Sequence, residues 1–494
     1  MEQEGETQGT LGKAIDAGKW SAIGLVVQKA IGFVSFFVLA RLLAPNDYGL
    51  ITVALMVVGI AEIIFTPDFG AALIQKKENI NQYLNVFWTF NLLRAVGVFL
   101  FIFLTSPLVA IFFRVQDPLA ISVLRLSGLM IVIRALGNMG SIFFFKELDF
   151  KKLFFRDTGG QIAFSVIAIL WALYKPSVLA LFFGYLGQEF ASMLLLYYFH
   201  HYRPRISFHF RRLLDLIRYG TWTMGKNIVG QVNANLETMI IGRSLGVSNL
   251  GLYSRANNVV SLPSSALFSI IYKVGFPTYA KVQNDQEKIR RGFLKSFDVA
   301  LITMIPFMFL ILLIGRETIL VLLGKNWLGM VPAMKVLVIA LTFEGFSNII
   351  YPLLEGVGRA NLRFKLSLLQ LVLAAPLLIW LSRYGLVAAA SAMLIISFVV
   401  FFVAGFWLFR YLKIKFSTLA RPLLTVVFAS GAAAVAASPL YFFLEVTKPF
   451  SFIVLLFFSG LVYLGTLVLV GRSLKSSTYE TLRGLFAFLF RARP

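Results

Sequence analysis

Residues 86–112 read VFWTFNLLRAVGVFLFIFLTSPLVAIF. Residues 98–104 within that stretch are apolar on every side. Neither the two-residue period of a half-buried strand nor the single stripe of a surface helix describes it. A bilayer core of about 30 Å needs about 20 such residues per helical span, and this stretch is long enough. Similar segments recur along the chain: 20–43, 49–65, 119–144, 159–171, 178–199, 221–241, 256–274, 297–314, 331–353, 366–380, 386–409, 423–443 and 452–470. A membrane β-barrel would show short alternating runs instead. Only 14% of the 494 residues are charged, against about 25% in soluble domains. The expected fold class is therefore all-α: a polytopic membrane protein of about 14 transmembrane helices. Residues 318–323 are too short to span and are read as the end of the ninth helix or a docked turn.

The formal net charge is +23, yet the basic residues sit in short loops between apolar segments. That pattern is membrane topology and not a nucleic-acid surface. Counted over alternate loops, Lys and Arg divide 31 to 10, which places the N- and C-termini in the cytoplasm and supports an even number of spans. The first 19 residues are polar and acidic, unlike the basic start of a signal peptide. Without cysteine, neither a disulfide framework nor a thiolate metal site is available. His200, His201 and His209 lie in one basic stretch and are expected on a loop surface. In the tail, Leu482, Leu485, Phe486 and Leu489 would form one apolar helix face on the inner membrane surface. Arg483, Arg491 and Arg493 would meet the headgroups of membrane lipids.

The chain repeats itself. ARLLAPNDYGL at 40–50 closes the first span and GRSLGVSNLGL at 242–252 closes the seventh, at an offset of 202 residues. Trp20 and Trp222 fall on the same offset. LDFK at 148–151 and LRFK at 362–365 each enter an odd-numbered helix. Two parallel six-helix repeats are expected, an arrangement in which transporters bind substrate between halves that rock. The boundaries are an N-terminal lobe at 1–211, a C-terminal lobe at 212–416, and two further helices with a basic amphipathic cytoplasmic tail at 417–494.

Two of these helices are too polar to face lipid. At 100° per residue, Lys226, Gly230, Asn233 and Glu237 fall within about 60° of one another on the seventh span. Asn227 and Gln231 flank them, and Ile228, Val232 and Leu236 take the other side. The first span carries a milder stripe of Ser21, Gly24, Gln28, Gly32 and Ser35, with Lys29 beside it. Its glycines also fit close helix packing. Arg94, Arg125 and Arg134 are further cations inside spans, and Glu62, Glu189, Asp298 and Glu344 are further acids there. Intramembrane charge is costly and marks functional candidates. The candidate cavity set is thus Gln28, Lys29, Arg94, Arg134, Lys226, Asn227, Gln231, Asn233 and Glu237. The five cations within spans favour an anionic substrate. No phosphate loop, His/Cys metal box or HExxH is present, so no catalytic residue, metal or cofactor is expected. A multidrug or small-solute antiporter and a membrane-embedded polymerase or glycosyltransferase stay open as functions.

Four stretches carry a family resemblance: VLARLLAPNDYG at 38–49, DFGAALIQ at 68–75, FFKELDFKK at 144–152 and LEGVGRAN at 354–361. With them the chain resembles the polysaccharide-transporter branch of the multidrug/oligosaccharidyl-lipid/polysaccharide exporter superfamily. It looks most like Wzx-like flippases of the colanic-acid, teichuronic-acid and lipopolysaccharide type. Lys146 stands where that branch has arginine. The resemblance implies a MATE-like bundle of two six-helix lobes in the bacterial cytoplasmic (inner) membrane. Its substrate would be an undecaprenyl-pyrophosphate-linked oligosaccharide. A coupling ion (proton or sodium) and partners in polysaccharide polymerisation and chain-length control go with that implication.

Overall fold

The computed structural model describes residues 2–65, 81–208, 214–443, 449–474 and 476–491, all without a strand. Its helices are α1 (Glu2–Leu42), α2 (Pro45–Phe65), α3 (Asn81–Phe113), α4 (Pro118–Leu126), α5 (Leu129–Ala135), α6 (Ser141–Lys146), α7 (Phe150–Tyr174), α8 (Val178–Phe199) and α9 (Leu214–Leu245). They continue as α10 (Val247–Lys281), α11 (Gln286–Leu322), α12 (Val331–Gly356), α13 (Ala360–Leu381), α14 (Leu386–Leu412), α15 (Phe416–Phe443), α16 (Pro449–Ser473) and α17 (Ser477–Arg491). Aspartates start several of them by accepting orphan backbone N–H groups. Asp117 accepts from Leu119 N at 3.0 Å ahead of Pro118, and Asp285 from Lys288 N at 3.0 Å.

Among the described residues, 12 helices are long and apolar enough to cross a bilayer, and the pair Val247–Ser265 and Leu267–Lys281, bent by 42°, makes a thirteenth. The other expected span is α9. At 32 residues it is about 48 Å long, but its amides and charges keep it out of the apolar set. Large apolar side chains such as Leu104 (74% exposed) and Phe457 cover the outside of the helices. So much exposed apolar surface fits a lipid solvent and not water.

The chain divides into two compact units, Met1–Gly251 and Leu252–Pro494. In the first, α7 packs between α1 and α8, α2 lies against α9, and α3 supports α4 and α5. In the second, α12 packs on α14 and α11, and α15 on α16.

The repeat becomes a physical contact inside the first unit. A Cβ added to Gly49 would lie 1.8 Å from the Val247 carbonyl oxygen, and one added to Gly251 would lie 1.8 Å from the Pro45 carbonyl oxygen. Pro45 and Val247 are themselves 202 residues apart. The two signature segments thus touch reciprocally, backbone on backbone, as a local two-fold requires. Only glycine admits that approach.

Three expectations need revision. The span expected at 119–144 is long and apolar enough to cross only over 118–135, broken between α4 and α5, and α6 follows as a separate helix. Gly128 lets the first break press on Phe99, whose Cα would be 3.1 Å from an added Cβ. At the second break, Asn138 accepts from Gly140 N and donates to the His200 and Tyr202 carbonyls. The tail is also different. Leu482, one of the four residues expected on the apolar face, packs in the second unit's core (7% exposed). Ser477 and Thr481 donate to Asp298 at 3.1 and 3.2 Å. That carboxylate is only 3% exposed, and a buried acid needs such donors. The side chains of Leu485, Phe486, Leu489, Arg491 and Arg493 lie outside the described residues. The ninth span does continue through 318–323 as expected, with non-helical backbone angles at Ile314.

His200 is the third revision. Its ring stacks on Phe143 at 5.4 Å, and Nδ1 accepts from Tyr202 N at 3.0 Å. His201 is exposed, and His209 lies outside the described residues. Burial first, then the Lys152 charge, holds the His200 imidazole below its ordinary range around 6.5. The unfolded chain therefore takes up the proton first as pH falls. Stability from this contact is complete above about pH 6.5 and declines below it, down to the depressed folded value. Thermal unfolding of the purified protein between pH 8 and 5 should show the decline, and His200→Phe should flatten it.

Candidate functional site

The candidate site is a pocket of about 560 Å³ in the first unit, between α1 on one side and α6 and α7 on the other. Ser21, Gly24, Gln28 and Lys29 come from the striped side of α1, with Trp20 beside them. Phe145 comes from α6, and Phe150, Phe154, Arg156, Asp157 and Gln161 from α7. The wall is close because of glycine: a Cβ on Gly24 would meet Phe154 at 3.1 Å. Further along the same two helices the Ser35 hydroxyl donates to the Ser165 hydroxyl at 2.6 Å and joins them.

Partnering separates the lining groups. Arg156 is paired with Asp157 at 2.6 Å. Lys151 places its ammonium 5.5 Å from the Trp20 ring, and Phe154 leans on that ring at 5.3 Å. The polar ends of Gln28, Lys29 and Gln161 have no hydrogen-bond or ion-pair partner among the described residues. A pocket that presents one unpaired ammonium, two free amides and an aromatic face can hold an anion and a hydroxyl-rich ring together. The ammonium takes charge-assisted bonds, and the amides both donate and accept.

The structure does not gather all nine candidates. Gln28 and Lys29 line this pocket. Arg94 and Arg134 belong to a separate ionic cluster among α2, α3, α5 and α8. Arg134 bridges Glu62, at 2.8 Å, and Glu189, which it holds through both Nε (3.1 Å) and Nη2. Arg94 is hydrogen-bonded to Asn91 at 2.7 Å and lies within electrostatic range of Glu62 and Arg134. Gln231, Asn233 and Glu237 sit on α9, each half-buried. Gln231 lies over α2, with Nε2 at 2.7 Å from where a Cβ on Gly59 would stand. The side chains of Lys226 and Asn227 lie outside the described residues.

Gln161, Asp157 and Phe154 were missed in the sequence. Asp157 and Gln161 are four residues apart, hence on one helix face, at the start of a span read as short; that spacing was the available signal. Trp20 was visible only as a repeat position.

An all-helical bundle with an apolar exterior and a pocket of unpaired polar groups is the class of polytopic membrane transporters. Residues 38–332 match the family model described as "Polysaccharide biosynthesis protein", and the chain belongs to that family. It is similar to the lipopolysaccharide biosynthesis protein WzxC of Escherichia coli (strain K12), 29% identical over 371 residues, covering 74% of this chain and 75% of that one. It is 25% identical over 418 residues to the teichuronic acid biosynthesis protein TuaB of Bacillus subtilis (strain 168), covering 83% and 86%. The fold is that of the lipid II flippase MurJ in its inward closed conformation. The TM-score is 0.70 at 15% identity, over 92% of this chain and 99% of that one. An inward-facing MATE transporter follows at a TM-score of 0.59 and 14% identity, covering 80% and 98%.

Proposed function

We propose that this protein is a transporter and not an enzyme. It moves a polyprenyl-pyrophosphate-linked oligosaccharide across the bacterial cytoplasmic membrane by alternating access of two lobes, 1–211 and 212–416. Residues 417–494 complete the bundle. The pocket between α1 and α7 receives the polar head of the substrate. The observation that carries this reading is the unpaired set of Lys29, Gln28 and Gln161 in one pocket with Trp20. Lys29 meets a phosphate, the amides meet sugar hydroxyls, and the lipid tail stays in the bilayer. Lys226, Asn227, Asn233 and Glu237 on α9 continue the polar path. The relatives named for lipopolysaccharide and teichuronic acid biosynthesis support a lipid-linked sugar as substrate. A proton or sodium ion drives the cycle, and the product passes to the polysaccharide polymerase and chain-length machinery.

The test is delivery of lipid-linked oligosaccharide to the outer leaflet at matched membrane abundance. Losing one charge-assisted bond to a phosphate costs about 1.5–3 kcal/mol, so Lys29→Ala should slow delivery by about tenfold or more. Gln28→Ala and Gln161→Ala should each slow it less. Wild-type delivery by a Lys29→Ala/Gln161→Ala double variant would remove the pocket from the transport path. Altered drug sensitivity without accumulation of lipid-linked sugar would replace the substrate class with small solutes.

Both termini are cytoplasmic in this reading. Ser476 would be the natural probe site next to the tail, but it is buried and bonded to Thr478. Arg483 is exposed and the chain has no cysteine, so Arg483→Cys can be read alone. In intact cells an impermeant maleimide should leave it unlabelled and should label Tyr384→Cys, at the exposed turn before α14. The opposite pattern inverts the topology.

A further inference from the structure

A second cavity, of about 220 Å³, lies in the second unit where α13 and α14 meet the end of α12. Leu354 and Ala404 form its back and are almost fully buried. Leu366, Leu369 and Trp407 form its walls, and the only charged group in the lining is Lys365. The surface around it faces lipid: Phe364 and Leu368 on α13, and Phe402 and Phe406 on α14, are all exposed. Such an apolar crevice offers water too few polar partners to hold it in place.

One end of the crevice is marked chemically. Trp407 stacks on Tyr411 at 4.9 Å, and this aromatic pair is the kind that sits at the headgroup level of a bilayer. Arg410, three residues past Trp407, is exposed and stands over Phe406 at 5.3 Å. Lys365 is exposed and has no ion-pair partner among the described residues. The neighbouring Arg363 is already engaged, 3.6 Å from the Tyr351 ring and bonded to Ser367. Lys365 and Arg410 therefore stand at one end of the crevice, Lys365 in its lining and Arg410 one turn past Trp407 on α14.

We propose that this crevice binds an anionic glycerophospholipid of the surrounding membrane. One acyl chain fills the space against Leu366, Leu369 and Ala404, and the phosphate meets Lys365 and Arg410. This assignment is independent of the transport reading, because it uses no residue of the pocket between α1 and α7. A resident lipid would hold α13 to α14 where the two helices part.

Native mass spectrometry of the purified full-length protein tests it, with equal amounts of phosphatidylglycerol and phosphatidylcholine of the same acyl length added. Each basic side chain near an anionic headgroup favours it by a factor of about five. Wild type should therefore prefer phosphatidylglycerol by about twentyfold, and Lys365→Gln should cut that preference about fivefold. Leu369→Trp fills the crevice and should reduce the adducts of both lipids. If that variant does not fold, Lys365→Gln decides alone. Equal binding of the two lipids to wild type, or an unchanged preference in Lys365→Gln, overturns the proposal. So does a co-purified ligand that weighs as a polyprenyl phosphate and resists displacement by phosphatidylglycerol.

Discussion

Gly49→Ala is expected to lower the melting temperature sharply and to cut the amount of folded protein in the membrane. The new methyl carbon would stand 1.8 Å from the Val247 carbonyl oxygen, and 2.7 Å from the carbonyl carbon behind it. Both are backbone atoms, so no rotamer change relieves the clash; α2 must withdraw from the start of α10. Overpacking a tight contact costs about 1–3 kcal/mol when side chains can adjust, and here the cost should reach the top of that range or exceed it. Gly251→Ala meets the Pro45 carbonyl in the same way and should lose about as much. Because either substitution opens one shared contact, the double variant should lose clearly less than the two losses added. Gly97→Ala is the control, since a Cβ there meets nothing within 4 Å. Melting of detergent-purified protein, followed by size-exclusion fluorescence, gives all four values. Wild-type melting of Gly49→Ala would mean that the two signature segments do not touch.

That contact shows what the sequence could and could not convey. The 202-residue offset was legible because Trp, Arg and Gly recur among otherwise interchangeable apolar residues. The offset alone did not say that the repeats meet at their glycines, since close approach is a property of two backbones and not of either segment. The spans were legible for the same reason that lipid is undemanding: length and hydropathy suffice. The fourth span was read too long, and as unbroken, because its breaks depend on distant partners. Gly128 yields to Phe99, and Asn138 spends its amide on the carbonyls of His200 and Tyr202, 62 and 64 residues away. The α1 stripe runs along one wall of the pocket. The other wall, on α7, was hidden because Gln161 is a lone amide in an apolar run and gains meaning only opposite Gln28. Leu482 in the tail was ambiguous for a similar reason. Leu482 looks the same whether its face meets lipid or the core, and only Asp298, 184 residues earlier, decides.

Arg134 is the clearest case of a residue whose type was informative and whose role was not. As a cation inside a span it was a candidate for a substrate phosphate. In the fold its guanidinium forks between Glu62 and Glu189, which hold it from two other helices. With Arg94 nearby, two positive groups face two negative ones and the cluster is neutral, so nothing is left over for an anion in this state. Arg134→Gln should therefore destabilise the first unit by leaving Glu62 and Glu189 with a single neighbouring cation. Breaking a buried pair costs about 3–5 kcal/mol. The Arg134 side chain is 50% exposed and its partners 25% and 17%, which screens part of that, so about 2 kcal/mol is expected. Arg134→Lys should recover only part of the loss, because an ammonium keeps the charge but not the planar two-point hold on Glu189. Adding Glu189→Gln to Arg134→Gln restores neutrality, with Glu62 left to Arg94, and should recover most of the lost melting temperature. Substrate delivery separates the strut from a substrate contact. A strut predicts that the Arg134→Gln/Glu189→Gln variant regains delivery together with stability. A variant that melts like wild type and yet delivers nothing would place Arg134 on the substrate's path.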